Sequence, residues 1–596
     1  MRSLLQKIFC VIIIAISFSK IAQAQTILRV NAGNSNSSKT ADGSSWSSAF
    51  PDLQSALKAA AVDISQGQKV QVWVAQGTYY PSAMDNSDDR ETTFNIPSGV
   101  SLYGGFHSGD EETSKRSTDA STTILSGDIG KKGDNHDNCF SVLTILDLSS
   151  ATVVDGFTIT GGNAEGSSRG EGDGGGIFNR NGENNLTIAN CIFTKNEAVQ
   201  GSAVYNSDVN DNCSPKFDHC KFIDNSAAAG TVYNFAGQNF TECRPVFLNC
   251  LFASNSNVEQ GVAVNHCLGN NTCNPAFINC IFYMNTLSTK NGDESQGSAV
   301  SNQNSGGMGD VSPVFVNCTM TANEAAGNAA TIYNSFASPT FINCIVWGNK
   351  GGGISPGDAN HKPSVSYSDV QGWKENSNAT NMDADPIFID VNHAAGKDGI
   401  WGTDDDGLIP NCNSPVRGKA DASAIMVGAR VPTTDFSDNT RSNDDMDMGA
   451  YAALGIVNPL LQIDSDKTSI TFCKGDQITI KATTNVPGSV YTWYRTKHDA
   501  KPVADATQHG DIYTANDFDD AETIYCTLAI DPSTCSSAKT VNSGTISMEE
   551  KICATTVTAK TNYLGLILFS VPLLILVLIM IRDSFFVATK KEEASS

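Results

Sequence analysis

Ten residues carry the densest set of hard oxygen donors in the chain. The stretch DGIWGTDDDG places Asp398, Asp404, Asp405 and Asp406 within nine residues, with Gly399, Gly402 and Gly407 between them. Calcium prefers carboxylate oxygens, and glycines let a backbone wrap around an ion. The spacing is not that of an EF-hand loop. The expectation is a structural calcium site at these four aspartates, with a solvated acidic loop as the plainer alternative. Lys216, Asp218, Lys221, Asp224 and Arg244 form a second set. A lyase could use such a base beside an acidic cluster, but outward strand positions explain the same residues more simply. His266 with Cys213, Cys243, Cys267 and Cys273 has the ligand types of a zinc site. A bridge from Cys213 to Cys243, or from Cys267 to Cys273, is the more direct use of those thiols. His107, His136 and His361 have no triad partner at a workable spacing.

The elements that must position these residues are written in a repeat. NPAFINCIFYMN at 274 returns as SPTFINCIVWGN at 338, and aligning on the cysteine adds further copies at Cys191, Cys220, Cys250 and Cys318. Three residues before each cysteine stands Ile188, Phe217, Phe247, Phe277, Phe315 or Phe341. Five residues after it stands Asn196, Asn225, Asn255, Asn285, Asn323 or Asn349, and the residue just before it is Asn in every copy except at His219. A later phrase recurs as GSAVYN, GTVYN, GVAVN, GSAVSN and AATIYN. A period near thirty residues overrides any element-by-element reading and points to a solenoid.

Within a copy the apolar positions change parity at the Asn-Cys step. Side chains alternate faces along a strand, so the change requires a corner, and the reading is that Phe, Asn, Cys and the following Phe all point inward. Three short strands and three turns per copy then make one coil of a parallel β-helix. Coils about 4.8 Å apart place equivalent residues on top of one another as Phe, Cys and Asn ladders. FPDLQSALKAA, with Pro51 where a first turn accepts it, reads as a short helix covering the open end, and KVQVWVAQGTYYP as an entering strand.

The start, MRSLLQKIFCVIIIAISFSKIAQAQ, has basic residues, an apolar run and a small-residue site at Ala24, which is the pattern of a secretory leader. Tyr563 to Ile581 contains no charge and is followed by Arg582, Lys590 and Lys591, a span long enough for a bilayer with its tail in the cytoplasm. Losing Arg2, Lys7 and Lys20 with the leader moves the formal charge from −24 to −27, which argues against nucleic acid or anionic lipid as partner. Sixteen of the 17 cysteines remain, in a setting that permits disulfides. From about 456, FCKGDQITI, YTWYR and ETIYCTLAI are spaced as strands around a Trp between cysteines, the pattern of an immunoglobulin-like sandwich.

NCIF with FTKN, FIDN, FASN and FYMN, together with GSAV and GGGI, resembles the FxxN and GGA[ILV] repeats of polymorphic membrane proteins and of bacterial surface β-helix proteins of the pectin-lyase-like superfamily. TILSGDI, VVDGFTITGGNA, DADPIFID and DGIWGTDDDG resemble exported proteins that end their helix in a variable-anchor domain. The likeness covers roughly residues 25 to 452 and implies a right-handed helix. FCKGD followed by YTWYR resembles immunoglobulin-like or PKD-like modules, which implies a spacer pairing Cys473 with Cys535. The Asn-Thr-Asp, paired-Asp, His-Gly and Arg-Ile-Lys motifs of the pectin-degrading glycosidases do not appear in the repeats.

The expected fold is all-β, a right-handed parallel β-helix followed by an immunoglobulin-like β-sandwich and a single transmembrane helix. Its segments are a leader at 1–24, a cap at 25–98, repeats at 99–382, an Asp-rich cap or anchor-type segment at 383–455, the immunoglobulin-like module at 456–555, the membrane helix at 562–582 and a tail at 583–596. The expected function is a membrane-anchored, non-catalytic surface adhesin for an extracellular glycan or protein, with no nucleic-acid partner and no cofactor beyond calcium. The alternative is a polysaccharide lyase or glycoside hydrolase.

Overall fold

A computed structural model describes residues 25–551 apart from 35–40, 83–88, 168–169, 181–184, 208–211, 238–240, 289–296, 328, 375–379, 424, 427–428, 443–444, 454–460, 465–467, 485–489, 498–500, 506–507, 509 and 531–539. The expected leader, membrane helix and tail lie outside the described residues. Among those residues no helix is long and apolar enough to cross a membrane. Two compact units divide the chain, the first running to Val457 and the second beginning at Asn458.

The first unit is a parallel β-helix. One sheet has eleven strands, running from Gln25–Val30 through Lys69–Ala75 and Val100–Phe106 to Ser364–Ser366, and a second has ten, from Gly77–Tyr79 to Asp369–Val370. A third sheet of eight strands carries the later phrase of the repeat, from Phe94–Asn95 to Ile332–Ser335. The coils are in register. Phe217 pairs with Phe247, Phe247 with Phe277, Phe277 with Phe315 and Phe315 with Phe341. The helix Leu53–Ser65 lies on the open end, capped by Asp52, with Leu53, Ala56, Leu57 and Ala60 joining the main core.

Three features depart from the sequence reading. The central coils have four strands, not three, because a short six-stranded sheet from Asn163–Ala164 to Glu324–Ala325 fills the next turn. The Asn before each cysteine does not point inward. It forms the corner in the left-handed region, at φ 49° for Asn190, 51° for Asn249 and Asn279, 50° for Asn317 and 57° for Asn343, and this throws its side chain onto the outer flank. In an earlier coil Gly156, at φ 84°, takes the same corner, where a residue without Cβ is unstrained. The expected bridges among Cys213, Cys243, Cys267 and Cys273 are not formed, and all four are buried thiols. Cys213 and Cys243 pair in register, which sets their Cβ atoms nearly as far apart as the strands, about 4.8 Å, whereas a disulfide needs roughly 3.5 to 4.5 Å; Cys267 Sγ donates instead to the Asn271 carbonyl at 2.9 Å.

The ladders hold the core. Phe217, Phe247, Phe277, Phe315 and Phe341 stack at 4.8, 4.9, 4.9 and 4.7 Å between successive rings. Each buried ring contributes roughly 1.5 to 3 kcal/mol. Buried Asn196, Asn225, Asn255, Asn285 and Asn323, with half-buried Asn349 at the end, pass one amide hydrogen bond up the stack, each Nδ2 donating to the next Oδ1 at 2.8 to 3.1 Å. A second amide ladder runs Asn179, Asn206, Asn234, Asn265, Asn302 and Asn334 at 2.8 to 2.9 Å. Both ladders satisfy polar groups that burial would otherwise orphan.

Past Ser364–Ser366 the chain does not simply close the end. Residues 383–452 run back along the flank, where Ala394, Leu408, Ile409, Phe436, Ala450 and Tyr451 pack on outward Leu251, Ala253, Ile281 and Tyr283. Two small β-sheets make up the second unit. One is antiparallel, Leu461–Ile463, Ile478–Thr484 and Ile512–Ala515. The other is mixed and joins Val490–Thr496 to Thr523–Ala529, with Ser469–Phe472 parallel to Ile546–Glu550. Trp493, opposite Cys526, is fully buried with Tyr513 and Phe472. The implied partner of Cys473, Cys535, lies outside the described residues.

Candidate functional site

The corner asparagines make a row along the flank, and the returning segment docks on most of it. Asn279 Nδ2 donates to the Thr434 carbonyl at 2.8 Å, and Asn343 Nδ2 to that of Asp421 at 3.0 Å, while Asp421 N donates back to Asn343 Oδ1 at 2.8 Å. Arg441, 3% exposed, locks the contact. Its guanidinium donates to the carbonyls of Thr434 at 3.2, Asp447 at 3.3, Gly449 at 2.8 and Ala450 at 2.7 Å, and to Asn279 Oδ1 at 3.1 Å. Burial pulls its pKa down to about 10, a fall that Asp435 and Asp447 oppose.

Toward the earlier coils the segment leaves a gap. A cleft of about 510 Å³ opens there, between the corners at Asn190, His219 and Asn249, the strand starts at Ile192 and Lys221, the turn at Thr118 to Ala120, and residues 400–402 and 436–438 of the segment. His219, in the Asn position of the repeat, is held on every side. Its Nδ1 meets Asp218 Oδ1 at 2.7 Å, and its Nε2 lies 3.2 Å from Asp438 Oδ1 and 2.8 Å from Asn249 Nδ2. The hydrogen bond to Asp218 raises its pKa against the effect of burial. Lys221 Nζ donates to the Trp401 carbonyl at 3.3 Å. Burial lowers its pKa, with Asp406 and Asp119 opposing. Asp119 caps a short 3₁₀ turn by accepting from Ser121 N at 2.9 Å, and its hydrogen bonds with Ser121 hold its pKa below the usual carboxylate range. Trp401 is half-buried, edge-on to Tyr283 with centroids 5.5 Å apart, and Phe436 is buried against Tyr451.

The four aspartates expected to hold calcium are not brought together. Asp398 accepts from Ile400 N at 2.8 Å, Asp404 from Asn439 Nδ2 at 3.2 Å, and Asp405 from Lys397 N at 2.7 Å and Thr403 Oγ1 at 2.8 Å. Asp406 turns inward, where Gly402 N at 2.7 Å and the Tyr451 hydroxyl donate to its Oδ2, and burial raises its pKa to about 6. Each of the four carboxylates is thus oriented by its own loop, side-chain or phenol donors. Among the described residues no three His, Cys, Asp or Glu side chains converge on a metal position. His266 spends its nitrogens on Tyr233 at 2.7 Å and Ser305 at 2.9 Å, away from the neighbouring thiols.

Of the charged set near the repeats, Lys221 reaches the cleft and Asp218 supports it through His219, while Lys216 pairs with Asp218 at 2.6 Å and Arg244 with Glu242 at 3.1 Å. The sequence reading missed Asp119, His219, Trp401 and Asp438. The outward residue that opens each strand of the second sheet carries only part of a signal: Leu251, Ile281 and Ile345 stand where the segment lies, but so does Thr319, and the cleft takes both Lys221 and Ile192. A second hollow, of about 400 Å³, in the later unit is lined by Arg495, Lys497 and Lys501. Arg495 there is already paired with Glu522 at 2.5 Å and Asp517 at 2.7 Å. Compared with protein-family models, with curated proteins and with solved structures, the chain matches none.

Proposed function

We propose that this chain is an exported, membrane-anchored surface protein whose β-helix holds an extracellular glycan or protein in the flank cleft without transforming it. The carrying observation is the state of the cleft's acid and base groups. His219 is clamped by Asp218, Asp438 and Asn249, and Asp119 is a capping carboxylate held below its usual range, which makes it a poor proton donor. Glycoside hydrolysis needs a carboxylic acid with a raised pKa facing the bond. In this reading the helix is of the right-handed, pectin-lyase-like kind, the leader at 1–24 exports it, and the apolar stretch at 562–582 anchors it. The second unit, with Trp493 against Cys526, serves as an immunoglobulin-like or PKD-like spacer. One observation favours the enzyme alternative, namely the desolvated Lys221 amine inside the cleft.

A glycan-array and depolymerisation screen of the full-length chain, run with calcium and with chelator, separates the two. Binding without new sugar ends supports the adhesin. Unsaturated or reducing ends that vanish in Lys221→Met replace it with the enzyme. Calcium-dependent binding would assign an ion to Asp398, Asp404, Asp405 and Asp406.

A further inference from the structure

The cleft contains a cation and an anion that do not meet. Among the described residues the only hydrogen-bond acceptor for Lys221 Nζ is the Trp401 carbonyl, which leaves two of its three N–H bonds to the cleft. Asp119 uses its carboxylate on Ser121 and forms no ion pair among the described residues. Each nonetheless feels the other's charge. A group lodged between them must accept from the ammonium and donate to the carboxylate, and a hydroxyl does both. Adjacent hydroxyls on one ring do so at two points, and the half-buried Trp401 beside them offers an apolar surface for the ring's C–H face.

The charge balance weighs against the charged alternatives. His219 is taken up by Asp218 and Asp438, and Lys221 lies in the field of Asp119 and Asp406, so no positive charge is left over for an anionic ligand. The chain's net charge of −24 adds long-range repulsion of anions. A cationic ligand would meet Lys221 at the wall. Building on the binding function proposed above, we propose that the cleft takes a neutral, hydroxyl-rich ligand, a hexopyranosyl unit of an uncharged glycan, seated with adjacent hydroxyls between Asp119 and Lys221.

The test measures binding of neutral glucan, mannan and galactan hexamers, and of galacturonate and glucuronate-containing hexamers, to the full-length chain at low and high salt. The expected result is affinity for a neutral hexamer that salt does not change, because no counterions are released. Lys221→Met and Asp119→Asn should each weaken it by about tenfold to a hundredfold, the effect of a lost hydrogen bond to a charged group. Asp119→Asn keeps an oxygen to cap Ser121, so its melting temperature reports that the fold is intact. Preference for the uronates, with affinity that falls as salt rises, overturns the neutral-ligand proposal and leaves the adhesin standing. Neutral binding unaffected by either substitution overturns the placement in this cleft. No binding of any hexamer overturns the neutral-glycan proposal and leaves a protein as the ligand of the adhesin reading.

Discussion

Asp406 stands third in a run of three aspartates that reads as surface, yet its side chain is buried, with Oδ1 unpartnered among the described residues and Oδ2 accepting from Tyr451 and Gly402. Desolvation moves its pKa from 3.8 to about 6, so between those values the folded chain binds a proton that the unfolded chain has released. Stability contributed by this group is therefore complete below about 3.8, is lost as pH rises to about 6, and changes no further above that. Buried Asp369, raised to about 7, adds a loss of the same sign that extends to that pH. Carboxylates held low, such as Asp119 and Asp218, work in the opposite direction at more acid pH. Asp406→Asn isolates the one group. Its melting temperature should exceed that of the parent chain at pH 7, and the difference should vanish near pH 4. A deficit that widens toward neutral pH would instead mean that the ionised carboxylate stabilises the fold, through Lys221.

At the scale of elements, the returning segment is held more by one side chain than by its own secondary structure. Arg441 gathers four carbonyls and the Asn279 amide, so Arg441→Met leaves buried acceptors unpaired, at roughly 1 to 3 kcal/mol for each one left dry. The coils beneath keep their ladders, which do not pass through Arg441. Hydrogen exchange should therefore rise by about a hundredfold or more over residues 383–452 and stay unchanged over the Phe and Asn ladders; a uniform rise would show that segment and coils unfold as one. How far the sequence reveals these elements follows from what repeats. Phe277, Cys280 and Asn285 recur at fixed offsets because stacking forces like onto like, so their strands are legible. The fourth sheet is not, because Ser226–Ala229 and Ser256–Gln260 share backbone pairing but no residue type beyond the opening serine. The corner Asn reads as interior because periodicity shows a change of parity but not a positive φ. The cleft is not legible because Asp119, Lys221 and Trp401 are distant in the sequence: coil stacking brings the first two to one flank, and only the return of the segment adds Trp401.

Across the whole molecule, each coil touches mainly its two neighbours, so stability is a sum of coil and interface contributions and not the property of one central core. Phe277 is stacked on both sides, at 4.9 Å to Phe247 and 4.9 Å to Phe315, while Phe341 has Phe315 at 4.7 Å on one side and pairs with Val365 on the other. Replacing either by Ala opens a cavity that costs about 3 to 5 kcal/mol locally. The consequences should nevertheless differ. Phe277→Ala weakens two interfaces in mid-array and divides the ladder into two blocks, so its thermal unfolding should broaden or separate into two transitions. Phe341→Ala weakens the last full rung, which should fray without uncoupling the coils before it and leave the main transition nearly in place. Calorimetry of the two variants decides the matter: equal, single, sharp transitions shifted by the same amount would mean that the amide ladders, which run past Phe277 and reach their last rung at Asn349 in the Phe341 coil, make the helix one cooperative unit. Different profiles would mean that a ligand bound at the Asp119 to Lys221 cleft stabilises the early coils and leaves the later ones unchanged.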